Sequence, residues 1–296
     1  RHIDAPQGHM SLLLLILAIW AINGSWGVEK LPRNKIPSRF EPLKRSGPGP
    51  SVHLLDLTDT SRGYEDVWML QKALVEHRLH LRRRPDASGG ETLGILEEQL
   101  SKLTLDADIP AQNADFLVLV EHPSTYTLGT GSTEENVRFS EEERQHHQLI
   151  RTERGGEVTW HGPGQLVVYP ILDLTDYRCD LHWYVRALEE MVIGSLEELQ
   201  VADVGRIEGL TGVWSGDEKV AAIGVKVRSW VTMHGVAINV DVDASNGFNR
   251  IVPCGIATRG VTSISRSRPG VKMEDVKRAV LDSFQRVFEA RIVADR

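Results

Sequence analysis

Apolar positions along the chain fall into two patterns. Short continuous or alternating runs read as strands: Val52–Leu57, Phe116–Val120, Val158–Trp160 and Leu166–Leu172. After Lys219, the residues Ile223, Val225 and Val227 alternate with Gly224, Lys226 and Arg228. Trp230 to Asp241 then carries Val236, Ile238 and Val240 on one face, so this part reads as a hairpin with a further antiparallel return. Longer stretches repeat apolar residues every three or four positions. Gly63–Arg83 does so through Val67, Leu70, Leu74 and Leu81, Trp183–Leu199 through Val185, Leu188, Val192, Leu196 and Leu199, and Glu274–Ala290 through Val276, Val280, Phe284 and Val287. These three predict helices with one buried stripe each.

The weaker stretches complete the outline. Glu141–Gln148 is charged and reads as helical, and Tyr126–Gly131 reads as turn-rich. The irregular, polar stretch at about 85–114 reads as a surface insertion holding one short helix, Ile95–Leu103. Strands come in runs between separated helices, which favours an α+β fold over regular βαβ winding.

Composition bounds the partners. The chain has 296 residues and 41% hydrophobic residues, enough for a substantial core, and its formal charge of −7 argues against nucleic acid. Only Cys179 and Cys254 are present, without a CxxC pair, which excludes a disulfide framework and leaves a reactive thiol open. Residues 1–51 read as a leader, targeting segment or disordered extension, with Met10 a candidate start. Leu12–Ile22 is apolar but too short for a comfortable membrane span, so no stable membrane association is expected. A secretory signal with a weak cleavage region near Asn23-Gly24-Ser25 is one reading. The basic run Lys30, Arg33, Lys35, Arg39, Lys44 and Arg45, opposed only by Glu41, fits organelle import better. The expected compartment is the mitochondrion, with plastid or bacterial cytoplasm as alternatives.

Arg154 to Tyr169, reading RGGEVTWHGPGQLVVY, concentrates unusual residues. Two glycine-rich turns bracket a strand and bring Arg154 and His161 together, with bare amides between them. Cys254 lies between Pro253 and Gly255, flanks that fix a turn and leave a thiol accessible. A nucleophilic thiol must fall from its usual pKa of about 8.5, each unit being worth about 1.4 kcal/mol, and a nearby cation does this. Lys219, opening a strand before Ala221 and Ala222, is the candidate cation; taken alone it reads as a solvated strand end, the usual case for a lysine there. His161 and His234 are further candidates, His234 reading more readily as a hydrogen-bonded structural group. Cys179 lies among acids, which raise a thiol pKa, and reads as inert. The Cys and His spacing does not suit zinc, so no metal or cofactor is expected.

Spacing alone does not bring Lys219 and Cys254 together. Four motifs in order, RGGEVTWHGPGQLVVYP, GVWSGDEKVAAIG, MHGVAINV and IVPCGI, resemble the lipoate-protein ligase B family, the octanoyltransferases. The resemblance runs from about Val52 to Ala290, leaving out the insertion. It implies a biotin/lipoate protein ligase-like domain over residues 52–296, with a mixed, largely antiparallel sheet flanked by helices. It implies transfer of an octanoyl (or lipoyl) group from acyl carrier protein to lipoyl domains of 2-oxoacid dehydrogenase complexes and glycine cleavage H protein. By the resemblance, Cys254 carries the acyl thioester and Lys219 lowers its pKa. The implied substrate-lining residues are Arg154, Gly155, Gly156, Glu157, Val158, Thr159, Trp160 and His161, then Ala222, Ile223 and Gly224, and Gly235, Val236 and Ala237. Trp160 stands where Tyr or Phe is more usual, keeping an aromatic wall.

The composition of these segments agrees. An acyl chain needs a narrow apolar channel, burial being worth about 0.8 kcal/mol per methylene, and glycine-flanked amides can face a developing oxyanion. An acidic carrier needs a basic docking face on this acidic chain, for which Lys226, Arg228, Arg259, Arg266 and Arg268 are candidates. The rivals are an ATP-dependent lipoate ligase, a thiol hydrolase pairing Cys254 with His161, and a non-catalytic lipoyl-domain binder.

Overall fold

The structure is a computed structural model and describes residues 40–45, 47–83, 90–103, 115–242, 247–251 and 259–294. In chain order the elements are β1 (Ser51–Leu57), α1 (Tyr64–Arg83), α2 (Gly90–Lys102), β2 (Asp115–Val120), β3 (Thr125–Leu128), α3 (Glu141–Arg144), β4 (Gln148–Arg151), β5 (Thr159–His161) and β6 (Gln165–Ile171). They continue with α4 (Leu181–Glu198), β7 (Val204–Ile207), β8 (Leu210–Ser215), β9 (Glu218–Arg228), β10 (Val231–Asn239), α5 (Ile264–Ser267), α6 (Met273–Phe288) and β11 (Arg291–Ala294). Cys254 and most of the leader lie outside the described residues.

An eight-stranded sheet has the order β11-β1-β2-β6-β10-β9-β8-β7. β1 pairs in parallel with β11 and β2, and every other neighbouring pair in it is antiparallel. Both faces are covered, and strand alternation divides the apolar residues between them. In β2, Leu117 and Leu119 join the core under α4 and α6, while Phe116, Val118 and Val120 join the core under α1 and α2. Val236 and Ile238 of β10 join the first core and Ala237 the second. The predicted stripes of α1 and α6 are the buried ones: Val67, Leu70 and Leu74, and Val276, Val280 and Phe284. Asp180 caps α4 by accepting from the backbone N–H groups of His182 and Trp183.

A second sheet, with order β4-β3-β5, was not visible in the residue pattern. It corrects two expectations. Tyr126 to Leu128 is strand rather than turn, and only Gly129 to Gly131 turns away. The helix expected over Glu141–Gln148 stops after Arg144. Its start is encoded by a capping box, Ser140 with Glu143, but Gln148 to Arg151 is recruited as a parallel partner of β3. Tertiary pairing overrides the local helical preference there. Two boundaries also move. Leu96, Leu100 and Leu103 are buried beneath α1, so part of the expected surface insertion belongs to the core. Phe40 and Leu43 already pack on the main core, and Trp183 Nε1 donates to the Glu41 carbonyl at 2.9 Å, so packed chain begins before β1.

Candidate active site

Gly155 N–H donates to the Val225 carbonyl at 2.9 Å, which ties the 154–161 segment onto β9. Between that segment and the sheet lies a cavity of about 160 Å³. Its floor is Val167 and Tyr169 of β6, Lys219 and Ala222 to Gly224 of β9, and His234 to Ala237 of β10. Arg154, Gly156, Glu157, Val158, Thr159 and His161 form the opposite wall, with Tyr64 of α1, the turn residue Gly209 and the start of β8, Leu210 and Thr211, at the sides. For scale, a protein cavity of about 150 Å³ accepts a six-carbon ring, so this one is of the order of a short acyl chain.

The register explains why widely separated segments converge. Gly224 pairs directly with Gly235, and Ala222 with Ala237, so the floor is bare where two strands meet. Ile223 and Val236 belong to the opposite core, so main chain is what they offer the cavity. Trp160 departs from expectation. Thr159 and His161 face the cavity, and alternation along β5 turns Trp160 away from it. The indole packs in the small core against Phe248, with centroids 5.4 Å apart, and its Nε1 donates to Ser124 Oγ.

Arg154 is buried, and its Nη2 donates to the Thr127 carbonyl at 2.8 Å, the Thr127 hydroxyl at 2.9 Å and the Glu157 carbonyl at 2.9 Å. The imidazoles nearby are neutral. Burial, helped by His122 and Arg154, pushes His161 down to about 3. Burial likewise pushes His122 down to about 4, and burial with the Arg154, Lys226 and Lys72 charges pushes His234 well below its ordinary range. Burial pushes the Tyr64 phenol up to about 12. The cavity therefore combines neutral aromatic and imidazole rings with the Arg154 and Lys219 cations.

Lys219 is buried at one side of this space, its Nζ 4.8 Å above the Trp214 ring. Its N–H donates to the Gly260 carbonyl and its carbonyl accepts from Thr262 N–H, both at 3.0 Å. Chain a few residues after Cys254 is thus bonded to the Lys219 main chain. Cys179 is an exposed free thiol away from the cavity lining.

Sequence reasoning missed Tyr64, Val167, Tyr169 and the segment Gly209 to Thr211. Tyr64 comes from a helix far back in the chain, and nothing local marks it. His234 was read as a hydrogen-bonded structural group; its ring lines the cavity and neither ring nitrogen has a partner among the described residues. Its φ of 58° inside a strand would have no sequence signal.

The proposed basic docking face does not form one open patch. Arg228 pairs with Glu76, Arg259 with Asp217 and Arg266 with Glu218, while Arg268 donates to Gln200. Lys226 and Arg228 lie at one end of β9, and the partners of Arg259 and Arg266 at the other, roughly 25 Å away at about 3.3 Å per residue.

Residues 96–285 match the family model of the lipoyl protein ligase A/B catalytic domain. The chain belongs to that family. An octanoyltransferase of Gloeobacter violaceus is 54% identical over 174 residues, 59% of this chain and 76% of the relative. The chloroplastic octanoyltransferase LIP2p2 of Arabidopsis thaliana is 46% identical over 189 residues, 60% of this chain and 67% of the relative. The fold is shared with a bipartite lipoate protein ligase from Thermoplasma acidophilum, solved in a study of that ligase and its E2 lipoyl domain. That match has a TM-score of 0.55, 15% identity, and covers 84% of this chain and 87% of that one. Within the family this chain is an octanoyltransferase, an acyltransferase of protein lipoylation of the lipoate-protein ligase B type.

Proposed function

We propose that octanoyl transfer runs through a thioester on Cys254, with Lys219 as its partner. The thiolate of Cys254 attacks the carbonyl carbon of an octanoyl thioester borne by acyl carrier protein. A carbon–sulfur bond forms to Cys254, the bond to the carrier sulfur breaks, and the departing carrier thiolate takes its proton from the Lys219 ammonium, which becomes the amine. In the second half, a lysine amine of a lipoyl domain attacks the acyl-enzyme. The new carbon–nitrogen bond expels the Cys254 thiolate, and the Lys219 amine receives the proton lost by nitrogen. The observation carrying this reading is the Lys219 main chain, bonded to Gly260 and Thr262 shortly after Cys254, with its side chain at the cavity. The cavity lining, with Arg154, Gly156 to Thr159 and His161 on the wall and Ala222, Gly224, Gly235 and Ala237 on the floor, is the acyl-chain site in this reading.

The E2 lipoyl domain named with the Thermoplasma ligase supports lipoyl domains as the acceptor class; those of 2-oxoacid dehydrogenase complexes and of glycine cleavage H protein are the acceptors that the motif resemblance implies. The chloroplastic relative and the relative from Gloeobacter violaceus favour a plastid or a bacterial cytoplasm over the mitochondrion. The octanoyltransferase relatives favour an acyl thioester over free acid with ATP.

Intact mass after incubation with octanoyl carrier protein, without ATP, tests the reading. An octanoyl adduct is expected on the enzyme, absent in Cys254→Ala and slowed in Lys219→Ala. Transfer at the wild-type rate by Cys254→Ala would sink it.

A further inference from the structure

Two buried amides, Gln165 and Asn239, stand behind His161 and outside the cavity lining. Their orientations follow from their partners. Asn239 Nδ2 donates to the Thr262 carbonyl at 3.0 Å, which leaves Oδ1 as the atom facing Gln165. Gln165 Nε2 donates to that Oδ1 at 3.0 Å and to the Trp160 carbonyl at 3.2 Å. Turning the Gln165 amide over would set its oxygen against two acceptors. Gln165 Oε1 is therefore the atom 2.8 Å from His161 Nδ1, and an amide oxygen only accepts. His161 must carry its proton on Nδ1.

Burial holds the ring neutral, so the other ring nitrogen has a lone pair and no proton. Thr127 Oγ1 lies 3.4 Å from His161 Nε2 and accepts from Arg154 Nη2 at 2.9 Å. Its own hydrogen is free to point at Nε2. The bonds run in one sense: Arg154 to Thr127, to His161, to Gln165, to Asn239, to the Thr262 carbonyl. Every side chain in this series is buried, which removes competition from water. At one end is the Arg154 guanidinium in the cavity wall. At the other, Thr262 N–H holds the Lys219 carbonyl.

We propose that Gln165 and Asn239 are positioning residues of the octanoyltransferase, which lock His161 in its neutral Nδ1–H tautomer and, through Thr127, set Arg154 against the acyl chain. The consequence for chemistry is definite. With its proton committed to Gln165, His161 is an acceptor toward Thr127 and supplies no proton to the reacting carbonyl. A neutral ring beside Arg154 also spares the acyl chain a second buried charge. The activity arm of this inference rests on the cavity being the acyl site; the tautomer arm rests on the hydrogen bonds and on the burial of the ring.

Long-range ¹⁵N–¹H correlation NMR of histidine-labelled full chain at neutral pH, with His161→Gln to assign the signal, reads the tautomer directly. The expected result is a protonated Nδ1 and a bare Nε2 in the wild-type protein. An Nε2–H tautomer or an imidazolium in the wild type would overturn the proposal without any variant. In Gln165→Leu the signal should move toward Nε2–H, and kcat/KM for octanoyl transfer should fall about tenfold to a hundredfold as Arg154 loses its setting. Asn239→Asp keeps an acceptor for Gln165 and should retain the Nδ1–H form, whereas Asn239→Leu frees the amide and should lose it. Identical tautomers in folded Gln165→Leu and wild type would count against the proposal, whatever happens to the rate. A wild-type enzyme that shows the Nδ1–H tautomer but forms no octanoyl adduct would instead count against the thioester reading.

Discussion

A Cβ on Gly224 would sit 3.2 Å from both Cδ and Nη1 of Arg154, and 2.8 Å from the Gly155 carbonyl oxygen. The arginine stem therefore lies flat on β9 because position 224 has no side chain. Gly224→Ala must lift the 154–156 segment or push Arg154 aside. Crowding of this kind costs about 1–3 kcal/mol, and here the displaced group is the cavity wall. The expected outcome is a lower denaturation midpoint together with a kcat/KM loss larger than the stability loss explains. Gly94→Ala is the control: it lies in α2 with nothing within 4 Å of the added carbon, so it should be neutral or slightly stabilising. Equal behaviour of the two variants in urea titration and octanoyl transfer would refute this account of Gly224.

Much of this site was legible because it is built from local patterns. Glycines bracketing β5, a lysine at the start of β9 and small residues along β9 and β10 all announce themselves in sequence. Strand alternation likewise sorted Val236 and Ile238 from Ala237. What stayed hidden depends on long-range placement. Tyr64 reaches His161 with ring centroids 5.5 Å apart, across nearly a hundred residues of chain. The short strands β3 and β4 exist because they pair with one another, and neither has a strong pattern of its own. Trp160 was placed in the wall from its motif, although alternation with Thr159 and His161 would have turned it outward.

The buried imidazoles give stability a definite pH dependence. His122 has a folded pKa of about 4, below its ordinary 6.5, because burial disfavours its charged form. On lowering pH, the unfolded chain therefore binds the proton first. The His122 contribution is complete above about 6.5 and is lost as pH falls from there toward about 4. Asp115 acts with the opposite sign. Burial outweighs Arg78 and raises its carboxyl to about 6 from 3.8, so its contribution is lost as pH rises through that interval. His122→Gln removes this imidazole. Between pH 7 and pH 4.5 its urea-derived stability should drop by about 2 kcal/mol less than the wild-type drop, at about 1.4 kcal/mol per pKa unit. Parallel acid limbs in the two proteins would show that His122 is not a contributor.

Glu189 links the helix layer to the lysine. Its carboxylate is fully buried in α4, where Oε1 accepts from Gly212 N–H at 3.0 Å and Oε2 meets Arg186 and Arg206. Gly212 has φ of 119°, and a Cβ there would lie 3.3 Å from Lys219 Cε, so the residue held by Glu189 packs on the lysine stem. Removing one member of a buried pair costs about 3–5 kcal/mol, because the remaining charge loses its compensation. Glu189→Ala should therefore lose stability on that scale and also lose kcat per folded molecule, since Gly212 is released beside Lys219. Glu189→Gln removes the charge but keeps an acceptor for Gly212. It should lose stability while holding kcat within a few-fold of wild type. Denaturant titration and active-site-normalised kcat, measured on both variants, separate the two effects. Equal kcat losses in Gln and Ala would mean that the charge of Glu189, rather than its hold on Gly212, is what Lys219 feels.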